Sequence, residues 1–207
     1  MSLQPPEFRG WVAQSGRWRR FFPGQALYHA GDAPDGLYGL GHGTLELNFP
    51  LDGVEPVAIH RAEPGFWVGE SALLAHEERM VSVFSATESL VFHLPSAAIS
   101  RRLRERPECW HAFYQQSHIN LGHAVRLLAG ALVLTPRARF ARLLLRLSDN
   151  AGAVVGSQEE LGKLAGIRNT TTKRIVSSLV AEGAIESGYG KLVVIDRELL
   201  QAISNEE

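Results

Sequence analysis

The stretch from Ser157 to Ile185, SQEELGKLAGIRNTTTKRIVSSLVAEGAI, predicts two short helices joined by a tight turn. Ser157 is a favoured N-cap residue, and Glu160 three residues later completes a capping box at the start of the first helix. Gly166 is placed to make the turn. Gly162 lies where the second helix must cross closely, because a larger side chain there would hold the two helices apart. Together these signals predict a helix-turn-helix.

The spacing of apolar residues gives each of these helices a buried face. The inward positions of the pair are Leu161, Leu164, Ala165, Ile167, Thr172, Ile175, Val176 and Leu179. The outward positions of the second helix are Arg168, Asn169, Thr170, Lys173, Arg174 and Ser177. Arg and Asn side chains can pair with guanine and adenine edges, and Lys and Thr suit phosphates, so this face fits the major groove of double-stranded DNA. An ordinary helical hairpin with a solvated polar face is the alternative.

The residues after the second helix favour a winged unit over a plain hairpin. Gly183 is placed to end the helix, and GAIESGYGKLVVID then contains two apolar strand segments. A glycine-rich turn at Gly188 to Gly190 separates them, which is typical of a two-stranded wing.

Charge is distributed unevenly along the chain, although its formal net charge is only −1. Affinity for nucleic acid depends on where the charges lie more than on their sum. Between Arg137 and Arg174 the eight basic residues exceed the three acidic ones by five. The basic charge therefore accompanies the helix-turn-helix.

Composition bounds the rest of the chain. With 207 residues, 45% hydrophobic and 21% charged, it has the size of two small globular domains. No apolar run approaches the about 20 residues that span a bilayer. The N-terminal MSLQPPEFRGW lacks the apolar core of a signal peptide. We expect a cytoplasmic protein with no membrane partner.

The sequence contains no motif for metal binding or for catalysis. The single cysteine, Cys109, excludes an internal disulfide and any all-cysteine metal or iron–sulfur site within one chain. His111, His118 and His123 lack i,i+4 spacing, and His76 stands alone, so no metal site is expected. The chain also lacks a paired His and nucleophile motif and a phosphate loop, and we predict that it is not an enzyme.

The segment from Arg17 to Leu94 predicts an all-β domain, because short alternating apolar segments are broken by glycine-containing turns. From Pro107 to Leu134 the chain has no further proline and predicts one long helix. Along it, apolar residues and one histidine alternate at spacings of four and three, the seam of a parallel coiled coil: Tyr114, His118, Leu121, Val125, Leu128 and Leu132. The alternative is a helix packed only on its own barrel, with Leu127, Ala131 and Leu134 as a second face.

Thr135 followed by Pro136 predicts the N-cap and first residue of a new helix, so a hinge between domains belongs there. The expected fold is α+β: an N-terminal β-roll of the double-stranded β-helix or jelly-roll type, a long dimerisation helix, and a C-terminal winged helix-turn-helix. We place these parts at residues 1–108, 109–135 and 136–207.

Three motifs, AGDAPDGLYGLGHGTLEL, PGFWVGESALL and GKLAGIRNTTTKRIVSSLVAEGAI, occur in the order found in the Crp/Fnr family of bacterial transcription regulators. The chain resembles this family over essentially its whole length. The resemblance implies a homodimer in which an effector bound in the roll reorients two readers on a palindromic DNA site, with RNA polymerase as a further partner. The alternatives are a ligand-sensing module whose winged helix contacts protein, and a regulator that is competent without an effector.

The resemblance also implies an effector site, the family's phosphate-binding cassette. Here the cassette means the residues from Gly69 to Arg79. The residues that match or line it are Gly69, Glu70, Ser71, Ala72, Arg79, Met80, Ala124 and Val125. Met80 stands where the family has Ser or Thr, and Ala124 and Val125 replace the Thr-Ser pair that contacts the base. The ligand is a cyclic nucleotide or another small effector; alternatively, Glu70 and Arg79 form an ion pair that holds the roll together.

In the helix-turn-helix, the positions of the family's base-contacting Arg-Glu pair are occupied by Asn169 and Thr170. A further arginine of the family motif is kept as Arg174. We expect Arg174 to approach a guanine. Asn169 either reads an adenine or caps the helix. The residues expected at DNA are Gln158, Arg168, Asn169, Thr170, Thr171, Lys173 and Arg174.

Overall fold

The structure is a computed structural model and describes residues 5–188 and 190–206. The chain forms two compact units, one ending at His123 and the other beginning at Ala124. The expected α+β fold, with an N-terminal roll, a long helix and a C-terminal winged helix-turn-helix, is confirmed. No helix in the described ranges is long and apolar enough to cross a membrane.

The first unit is a β-roll flanked by helices. Its strands are β1 (Arg17–Phe21), β2 (Ala26–Tyr28), β3 (Gly36–His42), β4 (Leu45–Phe49), β5 (Val57–Ala62), β6 (Trp67–Val68), β7 (Ser82–Ser85) and β8 (Ser89–Pro95). Its helices are α1 (Pro6–Ser15), α2 (Glu70–Ala75), α3 (Ser96–Glu105), a 3-10 turn (Pro107–Cys109) and the first part of α4 (Trp110–Val133). All strand pairs are antiparallel and form two sheets, ordered β1-β8-β3-β6 and β2-β7-β4-β5.

Apolar side chains pack on both faces of the first sheet. Between the two sheets lies a core that includes Tyr38, Leu45 and Val91. On the outer face, Leu37 and Phe92 pack against residues of α1, α3 and α4. Helix α1 was not predicted; its Phe8 contacts Phe113 of α4 edge-on, with ring centroids 5.6 Å apart. Cys109 is a free, buried thiol in this outer core.

Helix α4 buries only its beginning. Ala112, Phe113 and Gln116 are its buried residues. The predicted seam is exposed along its whole length, up to 77% for Leu132. Leu127 and Ala131, from the alternative second face, are exposed too, whereas Leu134 is half-buried.

The second unit carries the winged helix-turn-helix. After α4 it comprises α5 (Pro136–Leu147), β9 (Ala153–Val155), α6 (Gln158–Leu164), α7 (Asn169–Ala181), β10 (Ile185–Gly188), β11 (Lys191–Val194) and α8 (Arg197–Ile203). The sheet order is β10-β11-β9, and β9 and α8 were not predicted. Within the predicted wing turn, residue 189 lies outside the described residues.

The predicted local signals are confirmed in this unit. Thr135 caps α5 by accepting a bond of 3.1 Å from the Ala138 amide. At the start of α6, the Glu160 amide donates to Ser157 Oγ at 3.2 Å, and the Ser157 amide donates to the Glu160 carboxylate at 2.7 Å. A Cβ on Gly162 would overlap Thr172 Oγ1, so only glycine permits this crossing of α6 and α7.

Candidate functional site

The polar face of α7 is exposed as predicted. Ile167, Ile175 and Leu179 point into the domain core. Arg168, Asn169, Thr170, Lys173, Arg174 and Ser177 are exposed, whereas Thr171 is half-buried. Asn169, Thr170, Lys173 and Arg174 thus share the exposed surface of α7, as a helix in the major groove requires, whereas Thr171 is only partly exposed.

Asn169 does not cap the recognition helix. It is the first residue of α7, and the N-cap position belongs to Arg168, whose side chain makes no capping bond. Asn169 Nδ2 instead donates to Glu159 Oε2 at 3.5 Å. The capping hypothesis is therefore wrong, because the turn after Gly166 begins the helix one residue earlier than that hypothesis needs.

Gln158 connects α6 to the wing. Its Nε2 donates to Ser187 Oγ of β10 at 3.3 Å. Next to it, Glu159 forms a salt bridge of 3.1 Å with Lys163. The bond to Ser187 holds the first turn of α6 beside the wing and leaves the Gln158 side chain partly exposed.

Several basic residues near the helix-turn-helix are bound to acidic or carbonyl groups within the second unit. Arg137 forms a salt bridge with Glu182, Arg139 donates to the Ala131 carbonyl at 3.1 Å, and Arg142 donates to the Ser204 carbonyl at 2.7 Å. Within the described residues, Arg168, Lys173 and Arg174 form no salt bridge. The local excess of charge counted from the sequence therefore overstates the charge free for DNA, which is concentrated on α7.

Arg79 is a buried charged residue of the cassette, with its side chain 1% exposed. Its Nη2 donates to Asp35 Oδ1 at 2.9 Å and to the Gly36 carbonyl at 2.8 Å, and its Nη1 donates to the Gly69 carbonyl at 3.2 Å. The guanidinium also lies 4.0 Å from the centroid of the Tyr28 ring. Both terminal nitrogens of Arg79 are therefore hydrogen-bonded within the protein.

Asp35 extends this cluster on its other side. Its Oδ2 accepts a bond of 2.7 Å from the Tyr38 hydroxyl and lies 3.3 Å from His93 Nε2. Burial and the bond to Asp35 raise the pKa of Tyr38 to about 12. Burial lowers the pKa of His93, and the nearby Asp35 charge opposes this effect without overcoming it. Both Tyr38 and His93 are therefore mainly neutral at pH 7.

Glu70 has different partners. It is buried, and Asn120 Nδ2 of α4 donates to its Oε1 at 2.8 Å and to the Trp67 carbonyl at 2.9 Å. Burial raises the pKa of Glu70, while hydrogen bonds from its own amide, Asn120 and Ser117 pull the pKa down less strongly. No salt bridge joins Glu70 to Arg79 in the described structure, so the predicted ion pair is wrong.

The remaining predicted effector-site residues differ in burial and setting. Gly69 has a φ of +101° and precedes α2, Ala72 is buried, and Ser71 and Met80 are exposed. Ala124 and Val125 belong to the second unit, and Val125 is exposed. Sequence patterns do not identify Asp35 and Asn120, because their partners Arg79 and Glu70 lie 44 and 50 residues away in the chain.

Comparisons with known proteins cover both units. A model of the cyclic nucleotide-binding domain matches residues 18–106, and a model of the Crp-like helix-turn-helix domain matches residues 138–203. The chain is 26% identical over 178 residues to the transcriptional regulator SdrP of Thermus thermophilus, a match that covers 82% of this chain and 84% of SdrP.

Two solved structures show the same fold. One is a transcriptional regulator of the CRP/FNR family from Thermus thermophilus, with a TM-score of 0.77 and 24% identity over 92% of this chain and 99% of that one. The other is FixK2 from Bradyrhizobium japonicum, with a TM-score of 0.80 and 16% identity over 93% and 98%.

Removing the buried guanidinium should destabilise the first unit. We expect Arg79→Ala to lower the free energy of unfolding by about 2 to 4 kcal/mol, because Asp35 and the carbonyls of Gly36 and Gly69 lose their donor. Arg20→Ala is the matched control, since its salt bridge with Glu88 is exposed and should contribute less than about 1 kcal/mol. Urea denaturation measures both, and equal losses would contradict the structural role of Arg79.

Glu70 should make stability depend on pH. Its folded pKa is raised above the ordinary 4.5, so the folded state resists ionisation and stability falls as pH rises from below 4.5 through the folded value. We expect the unfolding free energy of Glu70→Gln, relative to the unchanged protein, to increase from about pH 4 to pH 7. Urea denaturation across this range measures the difference, and a difference that is constant with pH would show that Glu70 is not destabilised by burial.

Proposed function

This chain belongs to the Crp/Fnr family of transcriptional regulators, and from this premise we propose that it binds a palindromic DNA site as a homodimer without needing a cyclic nucleotide. It is a DNA-binding regulator of the Crp/Fnr type. The observation that carries the proposal is the exposed apolar seam of α4 in the same chain as an exposed basic face on α7.

The seam supports dimerisation. Leu121, Val125, Leu128 and Leu132 recur at coiled-coil spacing and are 55% to 77% exposed. Contiguous apolar surface of this kind is rare on monomers and typical of an interface. A second α4 packed in parallel would cover the stripe and bring two readers to one DNA site, as half-sites related by two-fold symmetry require.

Charge in the seam should break the dimer. We expect Leu128→Glu to weaken dimerisation at least about a hundredfold, because an unpaired carboxylate would be buried between the helices. Leu127→Glu is the matched control, since Leu127 is an exposed neighbour outside the seam. Sedimentation velocity over a range of concentrations measures both variants. A Leu128→Glu protein that dimerises as tightly as the control would refute the seam.

The cassette contacts support independence from cyclic nucleotides. A bound phosphate would have to replace Asp35 and two carbonyls at the Arg79 guanidinium, and a ribose hydroxyl would have to compete with Asn120 for Glu70. Met80 offers no hydroxyl to the phosphate. Gating by a different small effector is the second candidate, and the apolar groove described in the next subsection favours it.

For DNA recognition, we propose that Arg174 reads a guanine and Asn169 an adenine, while Arg168, Thr170, Thr171 and Lys173 contact the backbone and Gln158 supports the wing. These roles follow from donor geometry and from the exposure of α7. RNA polymerase is a proposed partner at the promoter. We place the protein in the cytoplasm, where bacterial DNA lies, and assign it no catalytic step.

Selection from a randomised duplex pool at stated salt, with and without cyclic AMP and cyclic GMP, tests the proposal. We expect the same palindrome in every condition. Recovery only with a nucleotide would contradict nucleotide independence. Failure to enrich any sequence would contradict the operator and favour a winged helix that contacts protein.

The variant Arg174→Ala tests base recognition on the selected site. We expect binding to weaken by roughly 1 to 3 kcal/mol and the preference for one base pair per half-site to relax, as for the loss of a paired contact with guanine. Lys173→Ala is the matched control and should weaken binding to selected and random DNA alike. Fluorescence anisotropy at fixed salt measures both, and an equal loss on random DNA for Arg174→Ala would refute its base contact.

A further inference from the structure

The first unit contains a groove of about 400 Å³ between α1 and the outer face of the sheet β1-β8-β3-β6. Phe8, Val12 and Ala13 of α1 form one side, and Trp67 and Phe92 of the sheet contribute the other. None of the cassette residues from Gly69 to Arg79 lines it. Its volume is that of a site for a small molecule, and the chemistry of its lining is distinct from that of the cassette.

Aromatic rings packed directly on glycines form the floor of this groove. A Cβ on Gly39 would lie 2.5 Å from the Trp67 ring, and one on Gly16 would overlap the Phe92 ring. Trp18 packs edge-on against Phe92, with ring centroids 5.2 Å apart, yet stays 56% exposed. Glycine at these positions lets the rings sit close to the backbone; Trp18 is exposed, Trp67 is half-buried and Phe92 is buried.

One cationic residue lines the same groove as these rings. Arg9 is the one charged side chain among the described residues that line the groove. It is exposed and forms no salt bridge within the described ranges. A guanidinium next to aromatic rings complements a carboxylate attached to a flat apolar body, because the carboxylate accepts its donors while the body covers the rings.

The walls of the groove contact helix α4. Trp67, whose ring lines the groove, accepts through its carbonyl a bond of 2.9 Å from Asn120, and the same amide group holds Glu70. On the other wall, Phe8 packs edge-on against Phe113 of α4. A ligand that moves either wall therefore acts on residues that hold the beginning of α4.

We propose that this groove, and not the cassette, is the effector site, and that its ligand is a small aromatic carboxylate. Arg9 binds the carboxylate, and Trp18, Trp67 and Phe92 bind the ring. Occupancy alters DNA affinity through the contacts of Trp67 and Phe8 with α4. Only this last step rests on the proposed function, since binding to the groove is measured without DNA.

Isothermal titration of the full chain with naphthalene-2-carboxylate, and with 2-naphthalenemethanol as the uncharged match, tests the site. We expect the carboxylate to bind and the alcohol to bind at least about tenfold more weakly. Arg9→Gln should reduce carboxylate affinity about tenfold and leave alcohol binding unchanged. Absence of carboxylate binding, or equal binding of the two probes, overturns the proposal.

A variant that fills the groove locates the binding. Ala13→Trp places a large ring in the groove from an exposed position of α1 and should abolish binding, whereas Gln14→Trp on the adjacent exposed position should not. Thermal unfolding checks that both variants fold. Binding retained in Ala13→Trp, together with unchanged affinity in Arg9→Gln, would place the probe elsewhere and overturn the site.

Operator binding with and without the carboxylate separates the groove from the proposed function. A change of DNA affinity of at least about fivefold, lost in Ala13→Trp, is expected for an effector site. Carboxylate binding with unchanged DNA affinity would overturn the effector role. Failure to bind any operator both with and without the carboxylate would count against the proposed function instead.

Discussion

The first unit depends on how the buried guanidinium of Arg79 is compensated. A charge removed from water is tolerated only if donors and acceptors around it are matched. Asp35 supplies the counter-charge, and the carbonyls of Gly36 and Gly69 accept the remaining bonds. The arginine thereby ties the start of β3 to the start of α2, and through Asp35 it also orders Tyr38 and His93 in the roll.

Two charged side chains that match the family's cassette have partners within the first unit. Asp35 accepts a hydrogen bond from Arg79, and Asn120 donates one to Glu70. Asn120 also links Trp67 to the beginning of α4, so this helix is attached to the roll at a residue that lines the groove.

The basic residues of the second unit fall into two groups that differ in their contacts. Three arginines of α5, Arg137, Arg139 and Arg142, bind Glu182 and backbone carbonyls within this unit. The basic residues of α7 form no salt bridge in the described structure and lie beside polar residues on an exposed helix. Nearness to the helix-turn-helix in sequence therefore does not tell which basic residues are bound inside the unit and which are exposed, because both kinds lie on helices of the same small domain.

Local rules made much of this protein predictable from sequence alone. The capping box at Ser157, the cap at Thr135 and the close crossing at Gly162 involve residues near in sequence or a steric demand on one position. The seam of α4 follows from helix periodicity. The tertiary structure decided the long-range partners. Arg79 pairs with Asp35, 44 residues earlier in the chain, and not with Glu70. Helix α1 packs on the outer face of the first sheet, and no periodicity in the sequence predicted this contact. The reason is physical, since a buried charge pairs with the acceptors that packing brings within reach, and only the folded chain determines which these are.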